Sequence, residues 1–159
     1  MKTVCIDTQI LIWGVRKQAT AGQESMIQRA EIFFEFLEKS NARVIVPSVS
    51  VGEFLTGVPE EKQPAVLEAL QERFRIVDFD PVAAALAAKF WQDRKQIVAP
   101  GSSASRDVIK ADFQILATAV TRKASILYTH DDELLKMKQS RITVSKMPEG
   151  LARQEDLFH

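Results

Sequence analysis

The sequence predicts an α/β protein built on a mainly parallel sheet of about five strands, with helices on both faces. Two observations carry this. Short apolar, β-branched runs alternate with longer amphipathic segments along the chain, the pattern of parallel strands joined by crossover helices. Two acids, Asp7 and Asp131, also stand just beyond two of those runs. In open parallel sheets, ligands bind outside the carboxyl ends of the strands.

Each element has its own signal. Residues 2–7 read as a buried strand rich in Val and Ile, and Thr8 to about Val15 as a helix packed on it. Lys17 to Gln23 is polar, contains Gly22 and reads as a loop. Glu24 to Lys39 is a long helix whose wide apolar face carries Ile27, Phe33, Phe34, Phe36 and Leu37, wide enough for a subunit contact beside the core. Ala42 to Pro47 is a second strand and Ser48 to Thr56 a short helix, stopped by Gly57-Val58-Pro59. Pro64 suits the first turn of a helix running to about Arg73. Phe74 to Phe79 is a third strand. Asp80 then caps, and Pro81 begins, an Ala-rich helix to about Asp93. Ile97 to Ser105, with Pro100-Gly101-Ser102-Ser103, is a flexible loop. Asp107 to Lys123 is strongly helical. Ser125 to Thr129 is a fourth strand, Asp132 to Met137 a short helix and Arg141 to Val144 a fifth strand. Residues 1–147 form one domain on this reading, and the polar stretch 148–159 a flexible tail.

Composition narrows the class. At 159 residues, 46% hydrophobic and 26% charged, the chain matches an ordinary soluble domain. Formal net charge is zero, so nucleic acid would have to be met by local basic residues. The single Cys5 forms no internal disulfide, and its place in a core strand suits a buried thiol in a reducing compartment. No run approaches the roughly 20 apolar residues of a membrane span, and the first residues enter a strand at once. A cytoplasmic protein without membrane contact is expected.

Four carboxylates carry the chemistry. Asp7 is either the N-cap of the helix it precedes or a group aimed into the sheet-edge crevice, two compatible roles. Glu53 fits a capping box with Ser50, which would turn it back to the Ser50 amide. Asp112 lies near the middle of the stripe of Val108, Ile109, Ile115, Leu116, Ala119 and Val120. An unpaired ionised carboxylate there would cost several kcal/mol, so it requires a metal, a cation or dense hydrogen bonding, and Lys110 points elsewhere on the helix. Of Asp131 and Asp132, one caps the following helix and the other is free for a metal, with Asp131 the expected ligand and Thr129 supplying a hydroxyl. His130 is either a ligand or a structural histidine. Crowded acids repel unless a cation neutralises them, and hard oxygen donors with no His/Cys cluster favour Mg²⁺ or Mn²⁺ over zinc.

Four segments, Val4-Cys5-Ile6-Asp7-Thr8, Val46 to Glu53, Lys110 to Ala119 and Thr129-His130-Asp131-Asp132, together resemble the PIN domain, in that family's order. The resemblance covers Met1 to about Val144. It implies a three-layer α/β/α sandwich, with Asp7, Glu53, Asp112 and Asp131 as the acidic metal-binding and catalytic cluster. Thr8 and Thr129 would be hydroxyl neighbours, and Asp132 an assistant or only a cap. The implied reaction is metal-dependent hydrolysis of a phosphodiester, with RNA the expected substrate and DNA the alternative. Many small PIN proteins are toxins of toxin–antitoxin pairs, often dimeric and restrained by a small antitoxin. That role, a standalone nuclease and a catalytically weak nucleic-acid-binding module all fit the sequence. Arg106 and Lys110, near the start of the helix bearing Asp112, are candidate contacts for backbone phosphates, with solvated surface charge as the alternative.

The tail adds a second resemblance. Gln154-Glu155-Asp156-Leu157-Phe158 is similar to the peptide by which bacterial DNA enzymes dock on the sliding clamp, with Glu155 departing where leucine is usual. Gln154, Asp156, Leu157 and Phe158 are its matching positions, and coincidence is the competing explanation. A haloacid-dehalogenase-type phosphatase is disfavoured, because Gln9 stands where a second aspartate would be needed.

Overall fold

The computed structural model describes residues 2–152, so the clamp-like peptide lies outside the described residues. Five parallel strands, β1 (Thr3–Ile6), β2 (Arg43–Pro47), β3 (Arg75–Val77), β4 (Ile126–Tyr128) and β5 (Thr143–Ser145), form one sheet in the order β3-β2-β1-β4-β5. Strand alternation sorts their side chains into two cores. Val4, Ile6, Val46 and Tyr128 pack on one face with Leu11, Phe33, Phe34 and Leu70. Cys5, Ile45, Val77 and Leu127 pack on the other with Phe90, Phe113 and Leu116. The result is the expected three-layer α/β/α sandwich.

The helices are α1 (Thr8–Leu11), α2 (Ser25–Lys39), α3 (Ser48–Leu55), α4 (Gln63–Arg73), α5 (Pro81–Gln92), α6 (Arg94–Ile97), α7 (Arg106–Thr121) and α8 (Asp132–Lys136). Asp80 and Pro81 act as expected, with the Asp80 Oδ1 accepting from the Ala83 amide at 2.9 Å. Ser105 caps α7 by accepting from the Val108 amide.

Several boundaries differ for tertiary reasons. The helix expected over Thr8–Val15 leaves the α form after Leu11 and widens into a π turn, Ile12–Arg16. Gly14 lies in that turn directly against Phe34, where a Cβ would come within 2.3 Å of the ring. The fifth strand starts later than expected, because the Gln139 side chain ties the Arg141 and Ile142 amides into a turn. The third strand is trimmed to Arg75–Val77, and a short helix, α6, precedes the Pro100 loop. In α2, Phe33, Phe34 and Leu37 are buried while Phe36 stays 44% exposed, so the wide apolar face is only partly used by this core. Met147 is buried and Leu151 packs against the same core.

Candidate active site

The sheet order reverses between β1 and β4, since the chain passes from β1 to β2 on one side while β4 lies on the other. This switch point opens a crevice at the strand carboxyl ends. Asp7 follows β1 in extended backbone and caps α1, its Oδ1 accepting from the Thr8 amide at 2.7 Å. The same oxygen accepts from the Ser50 hydroxyl at 3.3 Å, and Oδ2 accepts from the Thr129 hydroxyl at 2.8 Å. Cap and site therefore coincide at Asp7.

Glu53 does not close a capping box. Its helix begins at Ser48 behind an extended Pro47, which places Ser50 inside the first turn. Ser50 turns to Asp7, and Glu53 Oε2 accepts from the Thr8 hydroxyl at 2.7 Å. Thr8 Oγ1 also lies 3.3 Å from Asp7 Oδ1, and its single proton favours the shorter contact.

Asp112 is 6% exposed on α7, and its Oδ2 is buried with no hydrogen-bond partner among the described residues. Burial first, then the nearby Asp131, Asp7, Glu53 and Glu133 carboxylates, push its pKa from the ordinary 3.8 up to about 8. Burial also raises Asp7, against hydrogen bonds from Thr8 and Thr129, and raises Glu53, against the hydrogen bond from Thr8.

Asp131 does both jobs that the sequence divided between two aspartates. Its Oδ1 caps α8 from the Glu133 and Leu134 amides at 2.8 and 3.2 Å, yet the residue also lines the cleft with the other acids. Asp132 turns into a neighbouring cleft instead. Thr129 is fully buried and reaches the site through Asp7, while its oxygen accepts from the Asp131 amide at 3.0 Å.

Asp7, Glu53, Asp112 and Asp131 thus share one cleft of about 610 Å³ with Thr8, Gln9, Asp107 and His130. Sequence reading missed Ser50, Asp107 and Glu133. Ser50 looked like a cap, whereas Asp107 falls one helical turn before the cleft-lining Ala111, a spacing that could have revealed it. His130 Nε2 accepts from the Met147 amide at 3.2 Å, so its proton sits on Nδ1. Burial, then Arg29 and Lys146, lowers its basicity and keeps it neutral. Arg106 and Lys110 do not line the cleft; both stand over the Trp91 ring.

The donors suit a hard divalent cation. They are carboxylate and hydroxyl oxygens, they raise one another's proton affinity, and Asp112 presents a buried oxygen without a partner among the described residues. They are not drawn together as a finished shell: among the described residues, no three His, Cys, Asp or Glu side chains converge closely enough to hold an ion.

Comparison with known proteins agrees with this architecture. The chain resembles the structure of VapBC2 from Rickettsia felis bound to a promoter DNA fragment, with TM-score 0.66 and 16% identity over 92% of this chain and 99% of that one. It also resembles VapBC-5 of Mycobacterium tuberculosis, a member of a family of toxin–antitoxin systems, with TM-score 0.54 and 16% identity over 92% and 99% of the two chains. A third similar structure is VapC20 of Mycobacterium tuberculosis, a Sarcin-Ricin loop cleaving toxin, with TM-score 0.52 and 15% identity over 82% and 92%. No curated protein matches in sequence. The PIN domain model matches residues 4–139, a span that takes in all four clustered carboxylates, and the chain therefore belongs to the PIN domain family.

Proposed function

We propose that this protein is a metal-dependent nuclease that hydrolyses RNA phosphodiesters, with Asp7, Glu53, Asp112 and Asp131 as its acidic centre. The observation that carries the reading is Asp112, whose buried Oδ2 has no hydrogen-bond partner among the described residues and which lines one cleft with three further carboxylates. Bound there, Mg²⁺ or Mn²⁺ would supply Lewis acidity to a water and to the phosphate. The protein's own part is positioning. Thr8, Ser50 and Thr129 fix Asp7 through both oxygens, Thr8 also holds Glu53, and the α8 cap fixes Asp131. Without a cation, Asp112 holds a proton at neutral pH, which lowers the repulsion in the cluster.

Cleavage of single-stranded RNA, structured RNA and single-stranded DNA, each with Mg²⁺, Mn²⁺ or EDTA, tests the reading beside Asp112→Asn. Metal-dependent cutting of RNA, lost in the variant, supports it. Preference for DNA shifts the substrate assignment. No cutting of any polymer sinks the catalytic reading and leaves a nucleic-acid-binding module.

The likeness to VapBC structures supports a toxin restrained by a small antitoxin, and the exposed Phe36 on α2 leaves apolar surface for a second copy of the chain. Growth arrest on expression, abolished by Asp112→Asn and relieved by a small protein encoded beside it, is the expected result. Active enzyme without growth arrest points to a standalone nuclease.

A further inference from the structure

We propose that a cation cluster built around Trp91 is a binding patch for the sugar-phosphate backbone of the nucleic acid, beyond the acidic cleft. The proposal rests on the nuclease reading for its choice of polyanion. Three positive side chains crowd one indole: the Arg94 guanidinium lies 4.5 Å from the ring centroid, Arg106 5.2 Å and the Lys110 ammonium 5.1 Å. The ring is anchored from inside by Phe113, with centroids 6.5 Å apart in an edge-to-face arrangement. Arg94 is fixed further by a 2.9 Å hydrogen bond to the Trp91 carbonyl.

Among the described residues, none of the three cations is paired with a carboxylate. Of the acids nearest in sequence, Asp93 is paired with Lys89 and Asp107 lines the cleft. Three like charges gathered on one ring repel, and cation–π attraction offsets only part of that repulsion. In a chain of zero net charge, this is a local field that an anion would neutralise.

Placement selects the anion. At about 100° per residue, Lys110 lies roughly 160° round α7 from Asp112, so patch and cleft occupy opposite sides of one helix. They meet at its first turn, where Arg106 adjoins the cleft-lining Asp107. A helix with side chains is about 10–12 Å across, a distance that a few nucleotides span. A strand leaving the cleft over the start of α7 would set its next phosphates on the cations, and a half-buried, cation-covered Trp suits phosphates better than stacked bases.

The test is binding, not cleavage. Asp112→Asn protein in EDTA is titrated with a single-stranded RNA oligonucleotide over a range of salt concentrations. Adding Arg94→Gln, Arg106→Gln and Lys110→Gln should weaken binding about a hundredfold near 0.1 M salt. It should also flatten the log–log salt dependence by about 2, at roughly 0.7 for each lost cation. Arg94→Lys with Arg106→Lys keeps the charges and should keep the slope. An unchanged slope in the Gln variant overturns the proposal, as does a Lys variant that loses as much as the Gln variant. Capture of an acidic protein through these residues, with RNA affinity unaltered, overturns it too. The nuclease reading stands or falls separately on the metal-dependent cleavage assay with wild type.

Discussion

Asp112 concentrates the conflict that defines this site. Its carboxylate is buried, near other acids, and held up to about 8 in the absence of a cation. A group whose pKa is raised by folding favours the fold while protonated. Its contribution is fully present below the unfolded value near 3.8 and is lost as pH rises towards 8. Metal-free protein should therefore lose stability across that window, with Asp7 and Glu53, also raised, adding to the slope. Asp112→Asn should flatten the slope and make the variant more stable than wild type at pH 8 in EDTA by about 1–3 kcal/mol. Urea titrations at several pH values read this directly, and a variant as pH-sensitive as wild type would refute it. Thr129 supplies a second residue-scale prediction. Thr129→Val removes the donor to Asp7 Oδ2 and the acceptor for the Asp131 amide. Losing these buried partners should cost about 1–3 kcal/mol and weaken metal binding, while Thr129→Ser should recover most of both.

At the level of elements, the first crossover shows how packing overrules local preference. Thr8 to Val15 reads as one helix, yet only its first turn is α, and the rest widens into a π turn where Gly14 meets Phe34 of α2. Gly14→Ala would drive a methyl into that ring and should destabilise the fold by about 1–3 kcal/mol, although alanine is the better helix former. A higher melting temperature for the variant would show that the contact relaxes freely. The signals that held are those local chemistry dictates: the Asp80–Pro81 start of α5 and the Gly57-Val58-Pro59 stop of α3. Ser50 and Glu53 show the opposite case. Their spacing satisfies a capping box, but the helix starts two residues before Ser50, which frees both side chains for partners from β1 and α1.

Across the whole molecule, folding gathers negative charge at one sheet edge, and cation binding should couple to global stability. A divalent ion that binds only the folded state adds about 2.7 kcal/mol at a hundred times its dissociation constant. Mn²⁺ should therefore raise the melting temperature of wild type at pH 8, and the increase should shrink in Asp112→Asn. An equal shift in both proteins would place the ion elsewhere. The reversal of strand order between β1 and β4 makes this gathering possible, because residues 122 apart in sequence, Asp7 and Thr129, can then share a hydrogen bond.

The layered α/β architecture was legible in the sequence, because apolar period and strand–helix alternation are local properties of the chain. The sequence also singled out Asp112, since a carboxylate inside an apolar stripe is anomalous in any fold. The roles of the residues around it came from packing between distant elements. It made Asp131 both cap and cleft residue and sent Asp132 to the neighbouring cleft. It brought Ser50, Asp107 and Glu133 close to the acids, and it moved Arg106 and Lys110 onto Trp91. The reason is physical: a side chain's periodicity fixes which face it occupies, but its partners come from elements whose approach is set by sheet order and packing.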